Sequence, residues 1–193
     1  GAYNNVAEQN GMTLLLATLF FSFQVYCDFS GYSDIAIGTA KVMGFNLMTN
    51  FRRPVFAKTT GEFWKRWHIS LSTWFKDYLY FPMGGSKVSV PRWYFNLMAV
   101  FLISGLWHGA NWTYIIWGGI NGFYLVFAII TKKYSDKFNS VTGINKLPRL
   151  FLFFQISITF LLISFSRIFF RARTVKDAVA IIKKIPSKAL EAV

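Results

Sequence analysis

The feature that most constrains this chain is the hydrophobic stretch from Trp93 to Ile130, the longest in the sequence. Only "SGLWHGANW" (Ser104 to Trp112) and the pairs Gly118–Gly119 and Asn121–Gly122 interrupt it. About 20 residues of helix cross the hydrocarbon of a bilayer. The stretch is therefore too long for one span and suits two, with the polar segment between them. Met12 to Cys27 forms a further, slightly short span, and Leu150 to Phe170 another. A chain built this way folds as a bundle of membrane-crossing helices, because lipid leaves no partner for backbone N–H and C=O groups outside a helix or a closed barrel.

Composition agrees. Apolar residues make up 54% of the chain, aromatic residues 20%, and Phe alone occurs 22 times, gathered into runs where a soluble domain would disperse them. The net charge of +13, from 21 Lys and Arg against 8 Asp and Glu, sits between and beside the apolar runs. That pattern points to membrane lipid as the partner of the basic residues; no nucleic-acid motif is present. Both ends of the last span are basic, so charge bias assigns no orientation. The single cysteine, Cys27, excludes an intrachain disulfide and is expected to be a small buried residue. No signal peptide is visible, and the chain starts at Gly1 without an initiator Met, which points to a portion of a longer protein.

The predicted architecture is all-α: a polytopic transmembrane bundle of about four spans with re-entrant and interfacial amphipathic helices. Residues 1–193 read as a single membrane unit. Thr60 is the expected N-cap of an amphipathic helix from Glu62 to Tyr80, in which Trp64, Trp67, Leu71, Trp74, Phe75 and Tyr78 share a face and Lys65, Arg66, Lys76 and Asp77 take the other. Pro82, Gly84 and Gly85 then break it. "TKKYSDKFNSVTGINKLPR" reads as a polar connection ending near Pro148. Thr174 caps a short basic surface helix with Val175, Ala178, Val179 and Ile182 on one face, ended by Pro186.

Two histidines carry most of the chemical interest. His108 lies in the break of the longest apolar stretch, bracketed by Gly105 and Gly109 and flanked by Trp107 and Trp112, with Asn111 three residues on. An imidazole there is either a structural hydrogen-bonding group between helices or a general base for a hydroxyl, since its ordinary pKa lies near neutrality. His68, in "FWKRWHIS", is either an interfacial histidine among tryptophans or a site residue. Lys65 and Arg66 beside it are either membrane-surface charges or ligands for cofactor phosphates. Asp28 and Asp34, six residues apart on a helix, fall on opposite sides and favour separate roles over a carboxylate dyad; a segment carrying them should line a polar cavity or pack inside the bundle. No metal cluster is suggested, Ser30 has no triad partners, and "MGGS" lacks the spacing of a phosphate loop.

Four blocks in order, "YCDFSGYSDIAIGTAKVMGFNLMTNFRRP", "FWKRWHISLSTWFKDYLYFPMGGSK", "GLWHGANWTYIIWGGINGFYL" and "FFRARTVKDAVAIIKKI", resemble the C-terminal half of the membrane-bound O-acyltransferase family. The nearest likeness is to its bacterial branch that acetylates alginate and other envelope polysaccharides, with the D-alanyl transferase of teichoic acids more distant. The resemblance covers roughly Gln24 to Ile185. It implies a multi-pass enzyme of the bacterial inner membrane, with funnels from both faces meeting near the membrane centre.

It further implies that His108, the histidine of the "WHG" block, is catalytic, and that His68 is a second site position. Asn111, Trp107, Asp28, Arg66, Lys65 and Arg52 are the candidate substrate-binding residues. The expected donor is acetyl-CoA or another acyl thioester, with no tightly bound cofactor. The expected acceptor is an envelope polysaccharide or a periplasmic relay partner. Family members carry more N-terminal spans, so 193 residues alone are expected to be inactive. Two other readings remain: a transporter or channel subunit with Asp28, Asp34 and His108 along a proton or solute path, and a b-type haem protein ligated by His68 and His108.

Overall fold

The computed structural model describes residues 2–187. Among these residues the regular structure is helical, in seven α-helices: α1 (Gly11–Val42), α2 (Thr60–Arg66), α3 (Ile69–Phe75), α4 (Val90–His108), α5 (Trp112–Thr142), α6 (Pro148–Arg171) and α7 (Val175–Ser187). Three of them, α1, α5 and α6, are long and apolar enough to cross a membrane. The all-α membrane architecture expected from the apolar runs is the one found.

Helix α1 begins at Asn10, whose side-chain oxygen accepts from the Thr13 N–H at 2.7 Å. It ends in a paired cap: Gly44 at φ 86 and Phe45 donate back to the carbonyls of Lys41 and Ala40 at 3.1 and 2.8 Å. One unbroken helix thus joins the expected span to the segment carrying Asp28 and Asp34, reaching ~48 Å at 1.5 Å per residue. Its first half packs on α6 and on the N-terminal segment through small polar residues, and on α7 through Gly11 and Leu14. Ser22 Oγ donates to Ser164 Oγ at 3.0 Å, and Thr18 pairs with the Tyr3 hydroxyl at 2.7 Å. Hydroxyls bonded across or within helices let backbones approach closely without orphaned polar atoms. The second half is largely exposed, and Cys27 with it, contrary to the expected burial: its neighbours Tyr26 and Phe29 take the face that packs on Phe51, Trp67 and His68, and Cys27 points away from it.

Helices α4 and α5 form an antiparallel hairpin joined by Gly109–Asn111, so the longest stretch does divide into two packed helices. Of the two only α5 is long and apolar enough to cross, which makes three such helices among the described residues where about four were expected. A side chain on Gly105 would meet the Tyr114 carbonyl at 2.3 Å, and one on Gly118 the Phe101 carbonyl at 2.2 Å. The basic segment after Ile130 was expected to be a connection. Helix α5 instead runs on to Thr142, because Thr131–Thr142 contains no Pro or Gly to stop it, and Gly143 at φ 65 ends it.

The amphipathic region is broken where one helix was expected. Its N-cap is Thr59, whose Oγ1 accepts from the Glu62 N–H at 3.1 Å, while Glu62 reaches back to the Lys58 N–H at 2.6 Å; Thr60 lies inside the first turn. After Arg66 the chain kinks, with His68 in the left-handed region at φ 47 and ψ 54. The kink is held by residues 50–52. The Arg52 N–H donates to the Arg66 carbonyl at 2.9 Å, the Asn50 carbonyl accepts from Ile69 N–H at 3.0 Å, and Asn50 Oδ1 accepts from both the N–H and the hydroxyl of Ser70. The backbone groups freed by the break therefore find partners in a distant segment. The expected aromatic stripe does not form one buried face: Trp67 and Phe75 are buried, whereas Trp74 and Tyr78 are exposed.

Helix α7 starts at Thr174 as expected, with its Oγ1 accepting from the Asp177 N–H at 3.1 Å. Its apolar face meets protein: Ala178 and Ile181 are fully buried in the core cluster that includes Leu14 of α1, and Lys184 Nζ donates to the carbonyls of Val6 and Ala7.

Candidate active site

Where α1, α2, α5 and α6 converge on the end of α4 they form a partly open cavity of about 80 Å³, lined by Phe29, Trp67, His68, His108, Trp117, Arg167 and further aromatic, aliphatic and polar residues. His108 is the last residue of α4, delivered to the cavity because the helix stops at Gly109; a β-carbon on that glycine would strike the Tyr114 ring at 2.6 Å. Trp117 and Phe170 pack edge-on against the imidazole with centroids 5.1 and 5.2 Å away. His68 enters from the kink between α2 and α3. It stands edge-on to Phe29 at 4.7 Å, and Trp107 bridges the two histidines at 6.4 Å from His68 and 5.0 Å from His108.

Neither imidazole has a hydrogen-bond partner among the described residues, so the structural alternative, a histidine bonded between helices, has no partner there to support it. Burial lowers the pKa of His68 from 6.5 to about 4, and the neighbouring His108 acts in the same direction. His68 is thereby held neutral at physiological pH, with a nitrogen lone pair available to accept a hydrogen bond.

Of the other residues singled out by sequence, Trp107 touches both imidazoles but is largely exposed. Asn111 does not face His108 on a shared helix. The chain leaves helical geometry at Gly109, and Asn111 becomes the N-cap of α5, accepting from Thr113 N–H at 3.1 Å and donating to the Arg173 carbonyl at 3.2 Å. Arg66 is paired with Glu62 at 2.6 Å. Lys65, Arg52, Asp28 and Asp34 are exposed and outside the cavity. The described residues therefore do not bring Asp28, Asp34 and His108 onto one path.

Twelve of the fourteen residues that line the cavity were not among the candidate site residues, Trp64, Trp117, Asn121 and Arg167 among them. The Trp64 Nε1 and Asn121 Oδ1 atoms are buried without a partner. Arg167 was discoverable, since it is a cation inside the apolar run Leu150 to Phe170, where ionisable residues are costly and face the bundle interior. Trp64 and Trp117 share their apolar helical faces with ordinary core residues, and no spacing separates the two.

This geometry defines a multi-pass helical membrane protein with a histidine-lined internal cavity. The model of the membrane-bound O-acyltransferase family, MBOAT, matches residues 2–165, and the chain belongs to that family. It is 44% identical over 163 residues to the probable alginate O-acetylase AlgI of Pseudomonas aeruginosa, covering 84% of this chain and 29% of that protein. Against the peptidoglycan O-acetyltransferase of Helicobacter pylori it is 40% identical over 168 residues, covering 87% and 30%. Against the teichoic acid D-alanyltransferase of Bacillus subtilis it is 38% identical over 114 residues, covering 54% and 28%. The chain thus spans less than a third of the length of these relatives.

Proposed function

We propose that this protein is an O-acyltransferase that moves an acyl group, acetyl in the first instance, from a thioester donor to a hydroxyl of an envelope polysaccharide or of a relay partner, within the bacterial inner membrane. The observation that carries the reading is the pair of imidazoles, His108 and His68, without hydrogen-bond partners among the described residues, on one aromatic-walled cavity in a chain of this family. The relatives' names, an alginate O-acetylase and a peptidoglycan O-acetyltransferase, supply the acceptor class. Residues 1–193 act as one unit, the C-terminal portion of a larger family domain.

In this mechanism His108 takes the proton of the acceptor hydroxyl as its oxygen attacks the thioester carbonyl, and returns it to the leaving thiolate. The thioester already activates the acyl group, so no metal is required by the step. Aromatic walls exclude water and so suppress hydrolysis of the donor. His68, neutral, accepts a hydrogen bond from donor or acceptor. Lys65 and Arg52, both exposed, are the cations for the phosphates of a coenzyme A donor; Arg66 joins them only by leaving Glu62. Trp107 and Asn111 shape the site around His108, and Asp28 acts outside the cavity.

The test is His108→Ala in the full-length protein. Envelope O-acetylation should fall to background while the protein remains in the membrane; unchanged acetylation would remove His108 from the mechanism.

A further inference from the structure

Arg167 is the one described residue whose charge is deeply buried in the cavity, only 8% exposed. No carboxylate among the described residues lies within ion-pair distance of it, the sole ion pair there being Arg66–Glu62. Its Nη1 donates to the Ser22 carbonyl at 3.1 Å, and its guanidinium lies over the Trp67 ring at 4.6 Å and near the Phe63 ring at 5.7 Å. One of five N–H donors is used, so the charge is propped by aromatic faces and one carbonyl and is not neutralised. A buried guanidinium left so is costly unless something anionic or strongly polar meets it.

Position says what meets it. Trp67, beneath the guanidinium, directly precedes His68. Phe170, one turn further along α6 on the same face, packs against His108 at 5.2 Å. Arg167 therefore lines the same cavity as both histidines, and its neighbours Trp67 and Phe170 adjoin them in sequence and in space respectively. The same cavity carries the orphaned Trp64 Nε1, a donor, and Asn121 Oδ1, an acceptor. With about 80 Å³, the cavity holds the reacting end of a donor and a hydroxyl, a handful of water-sized groups, and not a whole cofactor.

The geometry points to Arg167 as the oxyanion-binding residue of the acyl transfer, a role that rests on the function proposed above. When the acceptor oxygen bonds to the acyl carbon and its proton passes to His108, the carbonyl electron pair moves onto oxygen. That oxygen becomes an anion, and the Arg167 N–H groups not used by Ser22 hold it. The pair returns as the C–S bond breaks, and the thiolate leaves with the proton from His108. Fixed donors aimed at charge that develops in the transition state lower the barrier without tightening ground-state binding.

The test uses the full-length protein in proteoliposomes with acetyl-CoA as donor. R167Q is expected to lower kcat by about 10²–10³ with KM for acetyl-CoA within about threefold, the usual size for loss of an oxyanion donor. Two probes add a second readout: a coenzyme A thioether ending in an anionic phosphonate, and its counterpart ending in an uncharged ketone. The wild-type preference for the phosphonate should shrink at least tenfold in R167Q. Equal loss of both probes, a rise in KM alone, or an unchanged kcat would overturn the assignment. Should R167Q fail to fold, R167K keeps the charge without the planar fork and is expected to lose at least tenfold in kcat at similar KM; wild-type kcat there would overturn it too. No transfer from acetyl-CoA by the wild type would remove the donor on which the inference depends, and the inference with it. Full activity of H108A would instead sink the general-base reading and leave the phosphonate preference to judge Arg167 on its own.

Discussion

Gly105 and Gly118 bring α4 and α5 into backbone contact: a β-carbon on Gly118 would lie 2.2 Å from the Phe101 carbonyl and 3.3 Å from Gly105 Cα. This contact sets where His108 stands against Trp117, since each follows or precedes one of the glycines on its own helix. Gly118→Ala should force the helices apart and cost about 1–3 kcal/mol, as overpacking does. A lowered Tm in detergent, together with reduced acyl transfer, is the expected result; a wild-type Tm would mean that the hairpin tolerates a wider separation.

Asn111 acts through the backbone. Asn111→Ala removes the cap of α5 and the bond to the Arg173 carbonyl, and should lower stability by about 0.5–2 kcal/mol. Asn111→Ser restores a capping oxygen and should recover most of that loss, with acyl transfer close to wild type. If Ser recovers stability while activity stays as low as in His108→Ala, Asn111 contacts substrate directly.

The neutral state of His68 gives a stability that depends on pH. In the unfolded chain its imidazole protonates below about 6.5, whereas in the fold it does so only near 4. The unfolded state thus binds more protons between these values, and stability present above pH 6.5 is lost as pH falls towards 4. His68→Asn removes the titration and, Asn being tolerant of left-handed backbone, keeps the kink at φ 47. Thermal melts of the two proteins across pH 4–7 should diverge in slope; parallel curves would show that His68 does not titrate in this window.

Helix α7 is docked through Gly11, where a β-carbon would meet the Lys184 carbonyl at 2.2 Å. Gly11→Ala should loosen α7 from α1 and expose the basic tail. Trypsin should then cut after Arg173, Lys176 or Lys183 faster than in wild type. An unaltered digestion pattern would place the anchoring of α7 elsewhere, in the burial of Ala178 and Ile181.

Much of this protein is legible in its sequence. The apolar runs dictate helices because lipid satisfies no backbone groups, and their lengths set which ones cross. "SGLWHGANW" marks the turn that ends α4 on His108, and Thr174 marks the start of α7. The misreadings arise where long-range contacts override local pattern. The stripe from Trp64 to Tyr78 has helical period throughout, yet the chain kinks at His68 because Asn50 and Arg52, far away in sequence, satisfy the opened backbone. Asn111 lies at helical spacing from His108, but Gly109 ends the helix before that spacing has meaning.

What the sequence by itself determined is the membrane class and the all-helical architecture, since hydropathy is a local property. Which of the polar residues share the cavity was decided only by tertiary packing. The crossing of α4 and α5 at two glycines and the approach of α6 through Ser164 bring Trp117 and Arg167 to the cavity, while α1 presents Phe29 to it and leaves the neighbouring Asp28 outside. Such placement depends on backbones meeting at close range, and no spacing along a single helix encodes it.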